Sequence, residues 1–203
     1  MKILHIDSSI LGHYSVSRQL SAETVARHKA AHPDATVIYR DLAIDPVPYL
    51  TGAHMAALQG KPVTDTALAD DLAIGDGHIN DLLAADIVVI GVPMYNFSLP
   101  AQLKSWIDRV VVAGKTFRYG ASGPEGLLPQ GKKAFLISTR GGIYTGDSPA
   151  AMLDHQEKYL AAVLAFIGLT DVTWIRAEGL ALGQDAKDAT IVQAQGEIAR
   201  LQG

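Results

Sequence analysis

The chain has 203 residues, of which 48% are hydrophobic, so it is long enough to bury one sizeable core and short enough to form one domain. Its net charge of −4 and pI of about 5.9 argue against nucleic acid as a main partner, and the absence of cysteine excludes a disulfide scaffold, thiol chemistry and a cysteine-ligated metal. The start, MKILHIDSS, is too short an apolar run for a secretory signal and no stretch is long enough to span a membrane, so we expect one cytoplasmic domain over residues 1–203.

The first predicted strand, at residues 2–7, runs into a serine-rich stretch. Four serines and Gly12 lie within residues 8–17, and a helical pattern follows to about His32. Serine hydroxyls and free backbone amides at the start of a helix are typical of an anion site. Helix capping would need only one serine, and neither a dinucleotide-binding nor a Walker glycine pattern is present. The stretch therefore predicts a site for a phosphate monoester, held largely by hydroxyl groups.

The next part of the chain is predicted to supply a second strand at residues 36–41. Residues 45–64 are rich in proline and glycine, and we expect them to run over the surface. A helical pattern resumes over residues 65–85. Gly75 and Gly77 weaken the middle of that helix, each by about 1 kcal/mol relative to alanine.

The centre of the chain combines a strand, a helix and an unusual link between them. Residues 87–92 form an unbroken, mostly β-branched apolar run, which is typical of a central strand buried on both faces of a parallel sheet. Helical spacing over residues 99–114 predicts a helix that ends at Gly114. The link, residues 93–98, is more apolar and aromatic than such a connection needs. A loop packed against its own domain and a ligand-binding loop at the carboxyl end of the strand both fit these residues.

The following segment, residues 115–131, is predicted to be a long irregular insertion of the kind that often forms a lid or an interface arm. A fourth strand over residues 133–139 then runs directly into Arg140-Gly141-Gly142, where two glycines allow a ligand to approach the backbone or simply make a turn. The remaining predicted elements are a helix from Ser148-Pro149 to Gly168, a fifth strand over residues 171–176 and a last helix over residues 188–201.

Five strands that alternate with helices predict an α/β fold with a doubly wound parallel sheet in the strand order 2-1-3-4-5. The unusual loops follow strands one, three and four. In that order their carboxyl ends face one crevice, at the switch point between strands one and three. This convergence favours a ligand site over three unrelated loops.

Together these residues resemble the FMN-dependent NADH:quinone oxidoreductases of bacteria, also called NADH-azoreductases, over nearly the whole chain. The motifs that carry the resemblance are SSI at 8–10, YSVS at 14–17, PMYNFSLPAQLKSWIDRV at 93–110, GKTFRY at 114–119, GPEGL at 123–127, STRGG at 138–142 and FIGLTDV at 166–172. An older label for such sequences is acyl-carrier-protein phosphodiesterase. We discount it because this sequence contains no metal-ligand or nucleophile pattern. The resemblance implies a flavodoxin-like fold, bound FMN, and a homodimer with its sites between the subunits.

The resemblance also implies roles for individual residues. The FMN phosphate is expected to bind Ser9, Ser15, Ser17 and the backbone at Val16. The flavin ring is expected to lie against Met94, Tyr95, Asn96 and Phe97, and its polar edge against Ser138, Thr139, Arg140, Gly141 and Gly142. The family often has Thr-Ser where this chain has Ser138-Thr139, which leaves open which of the two contacts the cofactor. Tyr119 and Phe166 are expected to shape the substrate side, across the dimer interface.

The implied activity is the transfer of two electrons from NADH to quinones and the reductive cleavage of aromatic azo compounds to amines. Both substrates would stack in the same place, which implies ping-pong kinetics, and the cofactor rather than a side chain carries the redox chemistry. The histidines lie in no metal-ligand pattern, so we expect no metal site. His13 either offers charge to the phosphate loop or is an exposed loop residue, and Arg140 either steers an anionic substrate or is solvated.

Other classes of protein stay open at this point. A flavodoxin-like electron carrier without a substrate of its own would have a strongly acidic surface, whereas the net charge of −4 is mild, and residues 115–131 would have no role in it. A hydrolase or esterase would need a nucleophile elbow, and G-x-S-x-G is absent. A flavoenzyme that prefers NADPH or FAD is also compatible with the sequence.

Overall fold

The computed structural model describes residues 1–202 and contains one parallel sheet, one hairpin and six α-helices. The strands are β1 (Lys2–Asp7), β2 (Thr36–Asp41), β3 (Ile87–Pro93), β4 (Phe117–Gly120), β5 (Gly123–Gly126), β6 (Lys133–Thr139) and β7 (Asp171–Ala177). The helices are α1 (Val16–Ala31), α2 (Gly52–Leu58), α3 (Thr66–Ala84), α4 (Ala101–Val110), α5 (Glu157–Phe166) and α6 (Gln184–Ala199).

The sheet has five strands in the order β2-β1-β3-β6-β7, and every neighbouring pair is parallel. β3 lies at its centre, and all seven of its residues are buried. The doubly wound α/β fold is therefore confirmed. The predicted order 2-1-3-4-5 counted only the strands of this sheet, and the two hairpin strands between the third and fourth change the numbering.

Helices cover both faces of the sheet, as the apolar sequence of β3 requires. Ile87 and Val89 belong to the core under α1 and α6, whereas Val88 and Ile90 belong to the core under α3, α4 and α5. α1 and α6 each follow the carboxyl end of a parallel strand, so both begin at the same edge of the sheet.

Residues 115–131 are not irregular, as the sequence suggested, but contain the antiparallel β4–β5 hairpin. The hairpin packs tightly against the end of α5. The amide of Leu128 donates to the carbonyl of Ile167 at 3.1 Å. A Cβ atom at Gly126 would lie 2.2 Å from the backbone nitrogen of Gly168, so this approach requires glycine.

The predicted end of α4 at Gly114 and the predicted start of α6 at residue 188 are both wrong by about one turn. α4 ends at Val110 because the hydroxyl of Thr116 donates to the Val110 carbonyl at 2.7 Å and accepts the Val112 amide at 3.0 Å, which satisfies the groups at the helix end. α6 already begins at Gln184, directly after Gly183, whose φ is 118°.

The predicted helix from Ser148-Pro149 is also wrong in its start. Ser148 caps only a turn, in which its hydroxyl accepts the amide of Ala150 at 3.2 Å, and a short 3₁₀ helix, Ala151–Leu153, follows. α5 begins at Glu157, whose amide donates to a carboxylate oxygen of Asp154 at 3.0 Å. The same carboxylate also accepts the amide of Gln156, the N-cap of α5, so Asp154 satisfies two amides where this helix begins.

The expected surface excursion, residues 45–64, contains α2. The amide of His54 donates to the side chain of Thr51, and Nδ1 of His54 accepts the amide of Thr51 at 3.2 Å. This reciprocal cap usually has glutamate or glutamine in the place of the histidine, which explains why the sequence pattern did not reveal it.

Candidate functional site

A cleft of about 220 Å³ lies where the carboxyl ends of β1, β3 and β6 meet. Its walls combine the three loops that stood out in the sequence, so the loops meet as the strand order predicts. The wall residues are Ser9, Leu11, Tyr14, Ser15, Val16, Pro93, Met94, Tyr95, Thr139, Arg140, Gly141, Leu180 and Lys187.

The first wall is the start of α1. Ser15 is the N-cap of this helix, and its Oγ accepts the amide of Arg18 at 3.3 Å and lies 3.0 Å from Oγ of Ser17. The amides of Val16 and Ser17 belong to the first helical turn, where an α-helix provides no acceptor for them. The first turn carries no acidic residue, and the positive end of the helix dipole lies here. These groups make an anion site, in which Ser17 lies behind Ser15 rather than in the cleft wall.

The loop before α1 is fixed by two side chains. Arg18 donates to the carbonyl of Ser9 from Nε at 3.1 Å and from Nη2 at 2.8 Å, and it also pairs with both carboxylate oxygens of Asp41. Oγ of Ser9 lies 3.2 Å from the hydroxyl of Tyr95, which also accepts the amide of Ile10. This contact between the two hydroxyls joins the loop after β1 to the loop after β3 and fixes the position of one wall relative to the other.

A buried carboxylate, Asp7, lies beneath this loop. The hydroxyl of Ser21 donates to it at 2.7 Å and that of Tyr39 at 3.0 Å. Burial, together with the negative charge of Asp7, raises the pKa of the Tyr39 phenol, so it stays protonated and remains a donor. At Asp41 burial acts to raise the pKa, but the hydrogen bonds from Arg18 and from the Ala43 amide outweigh it and lower the pKa overall.

The second wall is a tight turn after β3. The amide of Tyr95 donates to the Ser98 carbonyl at 2.9 Å, and the amide of Ser98 donates back at 3.1 Å. The two residues between them, Asn96 and Phe97, have φ values of 48° and 70°, which is the geometry of a type I′ hairpin turn. Positive φ is rare for phenylalanine, and such strain clusters at ligand sites. The turn leaves both side chains exposed beside the cleft.

The third wall is the end of β6. Thr139 lines the cleft, whereas the hydroxyl of Ser138 is buried and bonded to Oε1 of Gln156 at 2.9 Å and to Nε of Arg140 at 3.0 Å. Gly141 also lines the cleft. Gly142 lies against the ring of Tyr144, 3.3 Å from where a Cβ would be. Of the two neighbouring hydroxyls that the sequence could not rank, only that of Thr139 belongs to a wall residue.

Arg140 is neither solvated nor placed to steer a substrate, as the sequence suggested. Its side chain has no exposed surface and contacts three carboxylates: Asp154 at 3.1 Å, Glu157 at 2.6 Å and Glu178 at 3.1 Å. These three ion pairs neutralise its charge, so only the backbone of Arg140 is available to contact a ligand. No acidic residue lies near Arg140 in the sequence, so the sequence gave no sign of these partners.

The two predicted substrate residues lie away from this cleft. Tyr119 projects from the β4–β5 hairpin with 77% of its surface exposed, and its ring meets that of Phe117 edge to face at 5.5 Å. The ring of Phe166, at the end of α5, lies 4.6 Å from the same phenylalanine. Neither residue lines the cleft of this chain. His13 is exposed and lines a separate open groove that also includes Asp7 and Arg18.

A second cavity, of about 720 Å³, adjoins the turn and shares Tyr95 with the cleft. Its lining exposes mainly apolar surface, and its basic residues are Lys104, His155 and Lys158. The amide of His155 donates to the Phe97 carbonyl at 3.0 Å, which ties this wall to the strained turn. A flat apolar molecule would fit between these groups.

Five wall residues were not predicted as site residues. Leu11, Tyr14 and Pro93 belong to the loops that the sequence singled out, but Leu180 and Lys187 do not. They come from the segment after β7 and from the first turn of α6, neither of which carries a recognisable motif. The one available signal was the position of Lys187, because a basic residue is unfavourable near the start of a helix.

Comparisons with known proteins agree with this geometry. A family model described as a flavodoxin-like fold matches residues 1–201. The FMN-dependent NADH:quinone oxidoreductase of Rhizobium meliloti (strain 1021) is 55% identical over 199 residues, which are 98% of this chain and 96% of the relative. The chain belongs to the FMN-dependent NADH:quinone oxidoreductase family.

Solved structures of this oxidoreductase family have the same fold. The azoreductase from Bacillus anthracis str. Sterne superposes with a TM-score of 0.89 at 33% identity, over 98% of this chain and 97% of the other. An FMN-dependent NADH-azoreductase from Bacillus anthracis str. Ames Ancestor, in complex with FMN, gives a TM-score of 0.85 at 25% identity, over 98% of this chain and 99% of the other.

The residues of the cleft fit the FMN of this oxidoreductase family. The α1 start offers hydroxyls and unpaired first-turn amides to a phosphate, and the exposed strained turn offers a flat apolar surface to a ring. Within residues 1–202 no group of three or more histidine, aspartate and glutamate side chains could hold a metal ion. No helix in that part of the chain has the length and apolar character needed to cross a membrane.

Proposed function

We propose that this chain is an FMN-dependent enzyme that transfers two electrons from NADH to quinones and reductively cleaves aromatic azo compounds to amines. The observation that carries the proposal is the meeting, in one cleft, of the anion site at Ser15 with Met94 and Tyr95, directly before the strained turn at Asn96 and Phe97. The names of the relatives and of the solved azoreductases support the same activity.

In this proposal each wall of the cleft has one task. The phosphate binds Ser9, Ser15 and Ser17 and the backbone of Val16. Met94, Tyr95, Asn96 and Phe97 line the ring, and Thr139, Arg140, Gly141 and Gly142 approach its polar edge through hydroxyl and backbone groups, with Ser138 behind them. FMN, when bound, supplies the electron transfer, and the protein binds and orients it and keeps water away.

The second cavity is the proposed place for both substrates. It adjoins Tyr95 and Asn96, and its apolar lining suits the nicotinamide ring as well as a planar acceptor. Because one cavity would hold NADH and then the acceptor, the kinetics are expected to be ping-pong. The proposal includes the homodimer, in which Tyr119 and Phe166 complete the site of the other subunit, and the cytoplasmic location expected from the sequence.

The two alternatives have less support. A flavodoxin-like electron carrier would be strongly acidic around its cofactor, yet the cavity beside the turn includes Lys104 and Lys158 and no acidic residue. Ser21, His5 and Asp7 lie together, but the serine is fully buried and bonds both Nε2 of His5 and the carboxylate. A catalytic triad needs the carboxylate at the other ring nitrogen, so these residues are not a hydrolase site.

The visible absorption spectrum of the purified protein, before and after anaerobic NADH, tests the proposal. We expect a flavin spectrum that bleaches with NADH and returns when benzoquinone is added. A protein that bleaches but returns only with a protein acceptor would favour the electron carrier. A colourless protein that FMN does not reconstitute would refute the cofactor and the residue assignments with it.

A further inference from the structure

One basic side chain in the wall of the cleft is not neutralised by a carboxylate. Arg140 is paired with three acidic residues, and Arg18, behind the loop, is paired with Asp41. Lys187 is half-buried in the cleft wall. Within residues 1–202, no carboxylate oxygen lies within 4.0 Å of its ammonium group.

The anion site has an excess of negative charge directly behind it. Arg18 lies 2.5 Å from Asp41 and 3.8 Å from Asp7, so one positive charge faces two negative ones. The start of α1 contributes only about half a positive charge. A phosphate dianion among the serines would therefore be repelled from behind unless a cation faced it from the opposite wall.

The position of Lys187 in its own helix does not serve helix stability. Its amide donates to the carbonyl of Gly183 at 3.0 Å, which places it in the first turn of α6. A cation there opposes the helix dipole and is unfavourable for the helix. Residues that break a local rule without a local gain are concentrated at functional sites.

The fold brings this lysine to the phosphate site. α1 and α6 lie on the same face of the sheet and begin at the same edge, and Lys187 shares the cleft with Ser9, Ser15 and Val16. We propose that Lys187 binds the phosphate of FMN as its counter-charge, and that this ion pair makes the apoprotein select FMN over riboflavin. The inference rests on the proposed function and adds a residue that the hydroxyl-based prediction lacked.

The test compares the affinities of the full-length, flavin-free protein for FMN and for riboflavin, followed by the quenching of flavin fluorescence. For Lys187→Gln we expect the Kd of FMN to rise about tenfold, the loss of one charge-assisted contact, and the Kd of riboflavin to stay unchanged. Lys187→Arg should keep most of the preference for FMN. Added salt should narrow the difference between the two flavins in the native protein and have less effect in Lys187→Gln.

Lys29→Gln is the matched control, because it removes the same charge from the exposed far end of α1. Its affinity for both flavins should match that of the native protein. Equal weakening of FMN and riboflavin by Lys187→Gln would mean that the lysine only shapes the cleft, and an unchanged Kd of FMN would also overturn the inference while leaving the proposed function intact. A native apoprotein that binds neither flavin would refute both.

Discussion

At the scale of single residues, two adjacent residues with positive φ, Asn96 and Phe97, shape the surface beside the cleft. Asparagine adopts this conformation readily, but phenylalanine does so at a cost of about 1–3 kcal/mol. The surroundings hold the turn through the Tyr95–Ser98 hydrogen bonds and through the amide of His155 on the Phe97 carbonyl. We interpret the strain as the means by which a two-residue turn presents an aromatic ring beside the cleft.

We expect Phe97→Gly to raise the stability of the protein and to lower its activity. Glycine adopts a φ of 70° without strain, and the phenylalanine side chain is 44% exposed, so we expect the free energy of unfolding to rise by about 1 kcal/mol. FMN affinity and quinone reduction should fall, because the ring surface is lost. Asn96→Gly should gain less stability, since asparagine tolerates the conformation. Chemical denaturation of both apoproteins measures this, and a destabilised Phe97→Gly would contradict the interpretation.

Gly91→Ala tests how closely Asp7 and the start of α1 pack against the central strand, β3. A Cβ there would lie 2.6 Å from Oδ1 of Asp7 and 3.3 Å from the carbonyl of Ser17, and the hydrogen bonds to Asp7 keep it from moving away. We expect a loss of about 1–3 kcal/mol in the free energy of unfolding. Gly77→Ala, inside α3 with open space around it, is the control and should instead stabilise by about 0.5–1 kcal/mol. If Gly91→Ala and Gly77→Ala changed the free energy of unfolding equally, Asp7 would be free to shift away from the new Cβ.

At the scale of elements, a network of buried ion pairs and hydrogen bonds joins the ends of β6 and β7 to the start of α5. Arg140 contacts Glu157 at the first residue of α5 and Glu178 directly after β7, and Glu157 is bonded in turn by Arg176. Gln156 completes the group and donates to the carbonyl of Val92 in β3 at 2.9 Å. The network thereby fixes the loop after β6, one wall of the cleft, to three other elements.

Arg140→Met should therefore be strongly destabilising. It leaves the largely buried carboxylates of Asp154 and Glu178 without a cation and Glu157 with Arg176 alone, and breaking a buried pair in this way costs about 3–5 kcal/mol. Arg118→Met removes the exposed ion pair with Glu125 in the hairpin and should cost less than about 1 kcal/mol. Urea denaturation of the two variants measures the difference, and similar small losses would show that the network relaxes without its arginine.

The packing of α1 on the sheet predicts a loss of stability in acid. Burial is the main reason that the pKa of His28 is lowered, and neither ring nitrogen has a hydrogen-bond partner among residues 1–202. The unfolded chain takes up a proton near pH 6.5, before the folded chain does, so this residue's contribution is complete above that pH and is lost as the pH falls towards the lowered value.

His28→Leu should therefore flatten the decline in the free energy of unfolding as the pH falls below about 6.5. His13→Gln, which changes an exposed loop residue, should leave the decline as it is. Denaturation curves over this pH range test the expectation. An unchanged slope in His28→Leu would assign the decline to other groups, such as the buried His78, whose pKa burial also lowers.

At the scale of the whole molecule, the chain presents a cleft and a large cavity at one edge of the sheet and an exposed aromatic hairpin elsewhere. Tyr119 and Phe166 pack around Phe117 rather than in either space. A substrate role for them is compatible with the fold only if they serve the site of a second subunit. The homodimer is thus a requirement of the proposed site and not an addition to it.

The shared site predicts that the activity depends on protein concentration. If the site is completed across the interface, the specific activity should fall in parallel with dissociation, measured by analytical ultracentrifugation at the same concentrations. Tyr119→Ser should lower quinone reduction, whereas Tyr49→Ser, at a similarly exposed tyrosine, should not. A monomer with full activity would refute the shared site.

The sequence by itself determined the layout of the chain. The apolar run of β3, the alternation of strands and helices, and the serines before α1 are local patterns, and they were sufficient for the doubly wound sheet and for the edge at which three loops meet. Membership of the oxidoreductase family could also be inferred from the motifs, because these motifs include residues of the three loops that form the cleft.

Only the tertiary structure decided how distant groups pair. The capture of Arg140 by three carboxylates, the docking of the hairpin through Gly126 and Gly168, and the entry of Lys187 into the cleft all join residues far apart in sequence. The starts of α2 and α5 depended on hydrogen bonds from backbone amides to the side chains of Thr51, His54 and Asp154, which the patterns did not single out. Local periodicity determines which residues face the core, whereas the partner of a buried charge depends on which chain segments meet in space.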